Sequence, residues 1–401
     1  MNFLSPRNSK LTAAVLVLIG SIPLRAENWI QTAAPITNWS SLTCSADGTK
    51  LAATAAKGPI YVSTNSGFSW TETSAPVADW RSIASSADGR VLAAWKFNSY
   101  DPSLGSFGSV YISTNGGATW LLSPLPEDAQ QQLAVSADGA WIAGCWSSDY
   151  PTQGGRIYLS TDSGASWSTK PGDYHIKCIA LSADGSTLAV SGGVSITVST
   201  NFGDAWHMAA GGKFGLVALS SDASTMLVGG LPMWDFGFHF STNAGRTWAT
   251  ADLPPGNWCP AVSADGRQFV AAGIVDGLGF SLYTSPDAGA TWVEGPRGLT
   301  NPTLAVSADA KRIVAAEREG GGIHILQSTP KPQLEIASSA TAVKISWVVP
   351  STPFTLQQST SQKLGDWQDV GHEPVFNYSN LHCEVTVPVG TSTVFYRLAS
   401  R

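Results

Sequence analysis

The sequence predicts an all-β protein: a seven-bladed β-propeller closed by its own N-terminal strand, followed by a small C-terminal antiparallel β-sandwich. Three features carry that expectation. A short turn motif, first met as Ser63-Thr-Asn65-Ser-Gly67-Phe-Ser69-Trp70, returns in copies ending at Trp120, Trp167, Trp206, Trp248 and Trp292. The intervals between those tryptophans are 50, 47, 39, 42 and 44 residues, the length of a four-stranded blade and too long for most helical repeats. A second motif, Ser-Ala-Asp-Gly or a close variant, occurs seven times, at Asp47, Asp88, Asp138, Asp184, Asp222, Asp265 and Asp309. Beyond Pro330-Lys-Pro332 both motifs stop, and alternating apolar runs take over.

Residues 1–26 contain Arg7 and Lys10, an apolar run over 11–19, and Leu24-Arg25-Ala26. This is the pattern of a secretory signal peptide cut after Ala26, too short for a transmembrane span. The propeller is expected over 27–329. Trp29-Ile-Gln-Thr-Ala-Ala-Pro35 stands before Asp47 as Trp70-Thr-Glu-Thr-Ser-Ala-Pro76 stands before Asp88. The seventh copy has strands expected near 303–306, 312–316 and 323–327, but no tryptophan-ended turn follows Ser328. The first strand is therefore expected to supply the outer strand of the seventh blade, which removes an open sheet edge.

Each Ser-Ala-Asp-Gly turn follows a short apolar run such as Leu133-Ala-Val135 and precedes another such as Leu188-Ala-Val190, so it joins two buried strands. In the fifth copy, Ser221 is aligned with the serine of the motif. Small residues recur just ahead of these turns, at Thr43, Ala84, Ala134, Ala180, Ala218, Ala261 and Ala305, where innermost strands crowd an axis. Two places earlier stand Ser41, Ser82, Gln132, Cys178, Leu216, Cys259 and Thr303, an expected channel-facing ring without charge. That argues against an ion path and against a buried catalytic carboxylate at this level. In the tryptophan-ended turns, Asn65, Asn115, Asp162, Asn201, Asn243 and Asp287 can accept backbone N–H groups, Gly supplies φ > 0, and Trp starts the next strand. The tail, 330–401, carries alternating runs at 342–347, 354–358, 383–387 and 394–398, which read as antiparallel strands with one wet face.

The tryptophan-ended turn resembles the Asp box, or BNR repeat, of sialidases, sortilin-type receptors, some xyloglucan hydrolases and photosystem II assembly factors. The resemblance implies the fold, with the boxes remote from any catalytic face. Sialidase-like hydrolysis would further require an arginine triad, a nucleophilic Tyr with a Glu partner, and an acid Asp. The family's Arg-Ile-Pro signature is absent, and only Arg81 and Arg318 map to the face that would need them. Tyr61, Tyr111, Tyr158 and Tyr283 fill a repeated strand slot, so the sialidase catalytic set is not found. Likeness to the assembly factors would imply a docking surface with an arginine patch, but the 12 arginines are scattered. Sortilin-type receptors would add cysteine-rich modules and a membrane span, and the sequence displays neither.

The formal charge of −6 becomes −9 once Arg7, Lys10 and Arg25 leave with the leader. Phosphate binding needs a basic stripe, and none is visible, so nucleic acid is not an expected partner. The five cysteines are scattered and odd in number, which suits buried free thiols better than a disulfide framework. No CxxC or HExxH spacing occurs, and no metal or cofactor is expected. His239 occupies the tyrosine slot and reads as core filler before ligand.

Loops at the face opposite both turns are where binding residues are expected. They hold Trp95, Phe97 and Tyr100, then Trp146 and Tyr150, then Trp234 and Phe236, while the blade-to-blade crossings add Trp39, Trp80 and Trp258. Exposed rings beside polar groups suit a glycan or a protein partner; the competing reading is that the loops fold over and bury them. Asp79, Asp101, Glu317 and Glu319 are the carboxyl candidates for a polysaccharide hydrolase or lyase, which needs two carboxyl groups about 5 to 9 Å apart. The expected function is a secreted, extracellular or periplasmic, non-catalytic binding or scaffold protein without membrane insertion, the hydrolase or lyase being the alternative.

Overall fold

The two repeated turns close on themselves through short-range hydrogen bonds, and that closure sets the strand ends. In the third Ser-Ala-Asp-Gly turn, Ser136 Oγ donates to Asp138 Oδ1 at 2.6 Å and Ala140 N donates to the same oxygen at 2.9 Å. Trp141 N then donates to Ser136 Oγ at 2.9 Å, so one hydroxyl and one carboxylate satisfy the whole turn. The fifth copy uses Ser220 for this, at 2.8 Å from Asp222 Oδ1, and Ser221 takes the alanine place instead of the serine place. In the tryptophan-ended turns, Ser160 Oγ donates to Asp162 Oδ1 at 2.8 Å, Ser166 N donates to Asp162 Oδ1 at 2.8 Å, and Gly164 N donates to Ser160 Oγ at 2.8 Å. The same set recurs around Asn65, Asn115, Asn201, Asn243 and Asp287.

The computed structural model describes residues 29–401 apart from 102–104, 126–131, 147–154, 173–175, 193–194, 213, 231–236, 276–278, 328–333, 340, 349–353, 362–365, 373, 378–381, 389–393 and 401. The expected leader, 1–26, lies outside the described residues. Every described element is a strand, and among the described residues no helix is long and apolar enough to cross a membrane. Contacts divide the chain into two units, one of them Trp29–Ser328.

Among the described residues, that unit shows seven four-stranded antiparallel sheets. The first runs Trp39–Cys44, Leu51–Ala55, Ile60–Ser63 and Thr71–Glu72, and five more repeat this order along the chain. The last is built from Pro302–Val306, Arg312–Glu317 and Ile323–Gln327, with Trp29–Gln31 as its outer strand. Trp29 pairs with Leu326, Ile30 with Ile325 and Gln31 with His324. Trp29 also donates its indole N–H to Pro296 O at 3.2 Å, reaching the preceding sheet as Trp248 does in donating to Ala209 O. Innermost strands neighbour one another in chain order, and Pro302–Val306 returns to Trp39–Cys44.

A cycle of backbone hydrogen bonds ties the seven aspartate turns together. Ala46 N donates to Ala87 O, Ala87 N to Ala137 O, Ala137 N to Ala183 O, and Ala183 N to Ser221 O. Ser221 N donates to Ala264 O, Ala264 N to Ala308 O, and Ala308 N back to Ala46 O at 2.8 Å. The second residue of each turn is small because it faces its counterparts across this cycle. Apolar clusters fill the gaps between successive sheets; Ala305, Val314 and Ile323 pack with Trp39, Leu51 and Ala53 across the last and first sheets.

The expected channel-facing ring proves to be more of a junction between inner strands. Ser41 Oγ accepts from Ile83 N at 3.2 Å, and Cys178 Sγ reaches Val217 O at 3.8 Å; Ser82 and Cys178 are buried.

The second unit includes 329–401. Leu334–Ser338, Ala342–Val348, His382–Pro388 and Val375–Asn377 make one antiparallel sheet, and Gln368–Asp369, Phe354–Ser359 and Phe395–Ser400 make another. Both contribute to one core, with Ile345, Trp347 and Val385 from the first and Leu356 and Tyr396 from the second.

Candidate functional site

At the loop ends of the strands, four inner strands carry a register shift against their neighbours: between Trp39 and Ser41, Trp80 and Ser82, Ile176 and Cys178, and Phe214 and Val217. Such bulges re-aim side chains at strand ends. The one at Arg81 has the clearest consequence. Arg81 Nη2 donates to Asp79 Oδ2 at 2.7 Å, its guanidinium lies 5.5 Å from the Phe97 ring centroid, and 52% of its side chain stays exposed. Asp79 and Phe97 are direct cross-strand partners, so the carboxylate and the ring hold the guanidinium from two sides. Val77, two residues ahead of Asp79 and 69% exposed, adds an apolar contact on the crossing into this sheet.

The aromatic candidates behave differently from the exposed rings expected of them. Trp39, Trp80, Trp95, Trp146 and Trp258 are only 0 to 5% exposed and belong to the apolar clusters. The physical reason is a partnership inside each sheet. Trp39 meets Tyr61 edge-on at 5.7 Å, Trp80 meets Tyr111 at 5.5 Å, and Trp258 meets Tyr283 at 5.7 Å. Quadrupoles favour that edge geometry, and the bulge turns each inner-strand ring down onto its tyrosine in the first two cases. Phe214 and His239 repeat the arrangement at 5.9 Å, and His239 Nδ1 lies 2.9 Å from Thr250 Oγ1, which fits the core-filler reading. Trp146 instead lies under Arg156, at 5.3 Å. Phe97 is half-buried beneath Arg81. Tyr150, Trp234 and Phe236 lie outside the described residues, as do the side chains of Tyr100 and Asp101.

Of the carboxyl candidates, Asp79 is engaged by Arg81, and Glu319 is exposed on the turn after Arg312–Glu317. Glu317 is the most constrained. Its Oε1 accepts from Thr300 N at 3.0 Å and Thr300 Oγ1 at 3.1 Å, while Oε2 lies 3.0 Å from His324 Nε2. Partial burial works to raise its pKa, but the Thr300 and His324 hydrogen bonds outweigh it and hold the carboxyl below the usual glutamate value. A general acid needs the opposite shift. Sequence reasoning missed Thr300 and His324; the latter stands in the same third-strand slot as Tyr61 and Tyr111, which was the available signal.

Cys44, Cys145, Cys178 and Cys259 are free thiols. Burial pushes Cys44 up to about 12, helped by the nearby Asp47 carboxylate, and pushes Cys178 and Cys259 to about 11. Such thiols are inert. Among the described residues no group of three or more His, Cys, Asp or Glu side chains is arranged to hold a metal ion.

No protein-family model matches the chain, and no curated protein matches it. Solved structures do. A GH74 xyloglucanase from Xanthomonas campestris superposes with a TM-score of 0.58 at 15% identity, over 80% of this chain and 59% of the enzyme's; the chain thus spans well under two thirds of that enzyme. YCF48 bound to D1 peptide matches with a TM-score of 0.53 at 16% identity, over 78% of this chain and 99% of that one. Hydrazine synthase of Kuenenia stuttgartiensis matches with a TM-score of 0.57 at 16% identity, over 77% and 99%. At these identities the likeness establishes a β-propeller fold and nothing about chemistry.

Proposed function

We propose that this chain is an exported, non-catalytic binding or scaffold protein: a seven-bladed propeller of Asp-box repeats with a C-terminal β-sandwich module, holding a partner at its loop face. The observation that carries the reading is the Arg81 guanidinium, raised by a bulge and held between Asp79 and Phe97 with half its surface open. A preformed cation of that kind loses little freedom on binding, and arginine is enriched among interface anchors. Exposed Val77 and Ile36, 69% and 60% exposed on the first two crossings, place apolar surface at the same strand ends. Since the described indoles among those proposed for ring stacking, Trp39, Trp80, Trp95, Trp146 and Trp258, are interior, a protein partner fits this surface better than a glycan. YCF48 with its D1 peptide and the xyloglucanase with its glycan-cleaving class supply precedents for both partner types on related scaffolds.

A polysaccharide hydrolase would need one carboxyl raised to serve as acid, and the Glu317 carboxyl is lowered instead, the Thr300 and His324 hydrogen bonds outweighing its partial burial, which leaves it only the role of base or nucleophile. The test uses the exported protein immobilised against extracellular protein fractions and a polysaccharide panel. Arg81→Ala is expected to weaken retention of the partner at least about tenfold, roughly 1.4 kcal/mol, with an unchanged melting temperature. Release of reducing ends by the parent protein would sink the non-catalytic reading.

A further inference from the structure

At the other ends of the strands, where the turns lie, a cleft of about 270 Å³ opens between the first and second sheets. Its origin is a single residue type. In every tryptophan-ended turn the residue before the glycine has positive φ, and it is Ser66, Ser163, Phe202, Ala244 or Ala288 in five copies but Gly116 in the second. At two of the other junctions this position meets the residue three places after the preceding sheet's turn aspartate. Arg312 Nη1 donates to Ser66 Oγ at 3.1 Å, and Trp141 stacks on Phe202 at 4.7 Å. At the second junction Lys50 stands in the corresponding place, its stem covering Gly89, and a Cβ built on Gly116 would meet nothing closer than Gly89 O at 3.5 Å. The missing side chain leaves the space.

The cleft is amphipathic. Leu51, Ala52 and Leu92 are buried along it, while Lys50 and Arg90 stand at its rim. Lys50 Nζ donates to Asp88 O at 2.6 Å, which uses one of its three protons. The Asp88 carboxylate is turned into its own turn, accepting from Ser86 Oγ and Arg90 N. Asn115 is likewise spent within its turn, on Ser113, Thr119 N and Thr119 Oγ1. Lys50 and Arg90 both act on the Asp88 carboxylate, so two cations against one anion leave a single net positive charge beside an apolar floor, which selects a ligand with one anionic end and a short apolar body. The volume lies just below the range of about 300–1,000 Å³ usual for drug-sized ligands, so the ligand is small.

We propose that this cleft binds a small aliphatic monocarboxylate, its carboxylate between Lys50 and Arg90 and its hydrocarbon against Leu51 and Leu92. This site is separate from the Arg81 surface and does not depend on it. Ligand-observed NMR titration of the exported protein with 4-methylpentanoate is expected to detect binding, with 4-methylpentanamide and acetate each at least about tenfold weaker. Gly116→Phe is expected to abolish binding at the cost of a modest drop in melting temperature, because φ is +69 there and Phe202, which occupies the equivalent place at φ 59, has Trp141 to stack on where Gly116 faces Lys50. Lys50→Met, which keeps the stem over Gly89, is expected to weaken binding about tenfold and serves should the phenylalanine variant fold poorly. Equal affinity for acid and amide, undiminished binding by both variants, or no response to the acid at about 20 mM, which corresponds to a Kd too weak to matter, would overturn the proposal.

Discussion

Replacing Trp80 by alanine separates an interior ring from a binding ring. Trp80 has no exposed surface and lies edge-on to Tyr111 at 5.5 Å, in a cluster with Ile60, Ile83 and Leu92. Truncating so buried an indole costs about 3–5 kcal/mol, including about 0.5–1.5 kcal/mol from the edge contact. A domain of this size loses roughly 2 °C or more in melting temperature per kcal/mol, so a drop of at least about 6 °C is expected by thermal unfolding followed by circular dichroism. Phenylalanine at the same place should cost far less. The Trp80 N–H has no hydrogen-bond partner, so its removal forfeits no bond and relieves an unpaired buried donor worth about 1–3 kcal/mol, offsetting the smaller ring. Trp39 is the control, because its indole N–H donates to Gly321 O at 3.2 Å. Trp39→Phe should therefore be more destabilising than Trp80→Phe by about 1 kcal/mol. Should Trp80→Ala melt within about 1 °C of the parent while partner retention is lost, the ring is a contact surface and the assignment to the interior is wrong.

Acid stability should follow the turn carboxylates. Hydrogen bonds from Ser166 and Ser160 lower Asp162 to about 2, and serine and backbone donors lower Asp88, Asp138, Asp184, Asp222 and Asp265. Because folded values lie below unfolded ones, this stabilisation is complete above about pH 4 and is lost as pH falls toward about 2. Melting temperature against pH should show that decline, and Asp162→Asn should flatten it without unfolding the protein, since Asn serves at four equivalent turns; an unaltered slope would refute the assignment. A chain lacking residues 27–31 should lose stability and self-associate in size-exclusion chromatography, because the edge of Ile323–Gln327 becomes a free pairing template. A stable monomer would show that the first strand is dispensable.

Much of the scaffold was readable because turns impose residue types at fixed offsets. A hydroxyl two places before a carboxylate or amide, with glycine two places after it, describes a hydrogen-bonding set that few other conformations satisfy. Those sets recur with the spacing of four strands, and the pairing of Trp29 with Leu326 follows from the same arithmetic. Where the pattern bends, the backbone tolerates it: Ala223 and Ala310 stand at φ 55 and 54 where other aspartate turns have glycine.

Which of the two readings holds for the described loop aromatics is not legible in the sequence, because residue type reports a ring but not its direction. Exposure of Trp39 and Trp80 depends on how each inner strand meets its neighbour, since one inserted residue between paired positions reverses which way a side chain points, whereas Trp258 reaches its tyrosine from an unshifted strand. A usable signal was nevertheless present across the repeats. The sheets with Trp39, Trp80 and Trp258 on the inner strand have Tyr61, Tyr111 and Tyr283 on the third; the fifth exchanges both members, for Phe214 and His239; the fourth has Ile176 and Thr197 and no ring in either place. The third and seventh sheets depart, with Tyr158 and His324 in the slot and no ring on the inner strand, and there the slot residue turns to other partners, Tyr158 to the cluster of Trp95 and Trp146 and His324 to Glu317; in the other five sheets the two rings are present or absent together, as a contact requires. The same logic marks Arg81 as the residue to follow. Among the described bulges the residue at this place is Ser40 in the first sheet and Lys177 in the fourth, so the repeat does not need an arginine there for packing, and the bracing of Arg81 by Asp79 and Phe97 holds a charge in open solvent. A cation fixed in place where the scaffold gains little from it is the part of this face that function can explain and folding cannot.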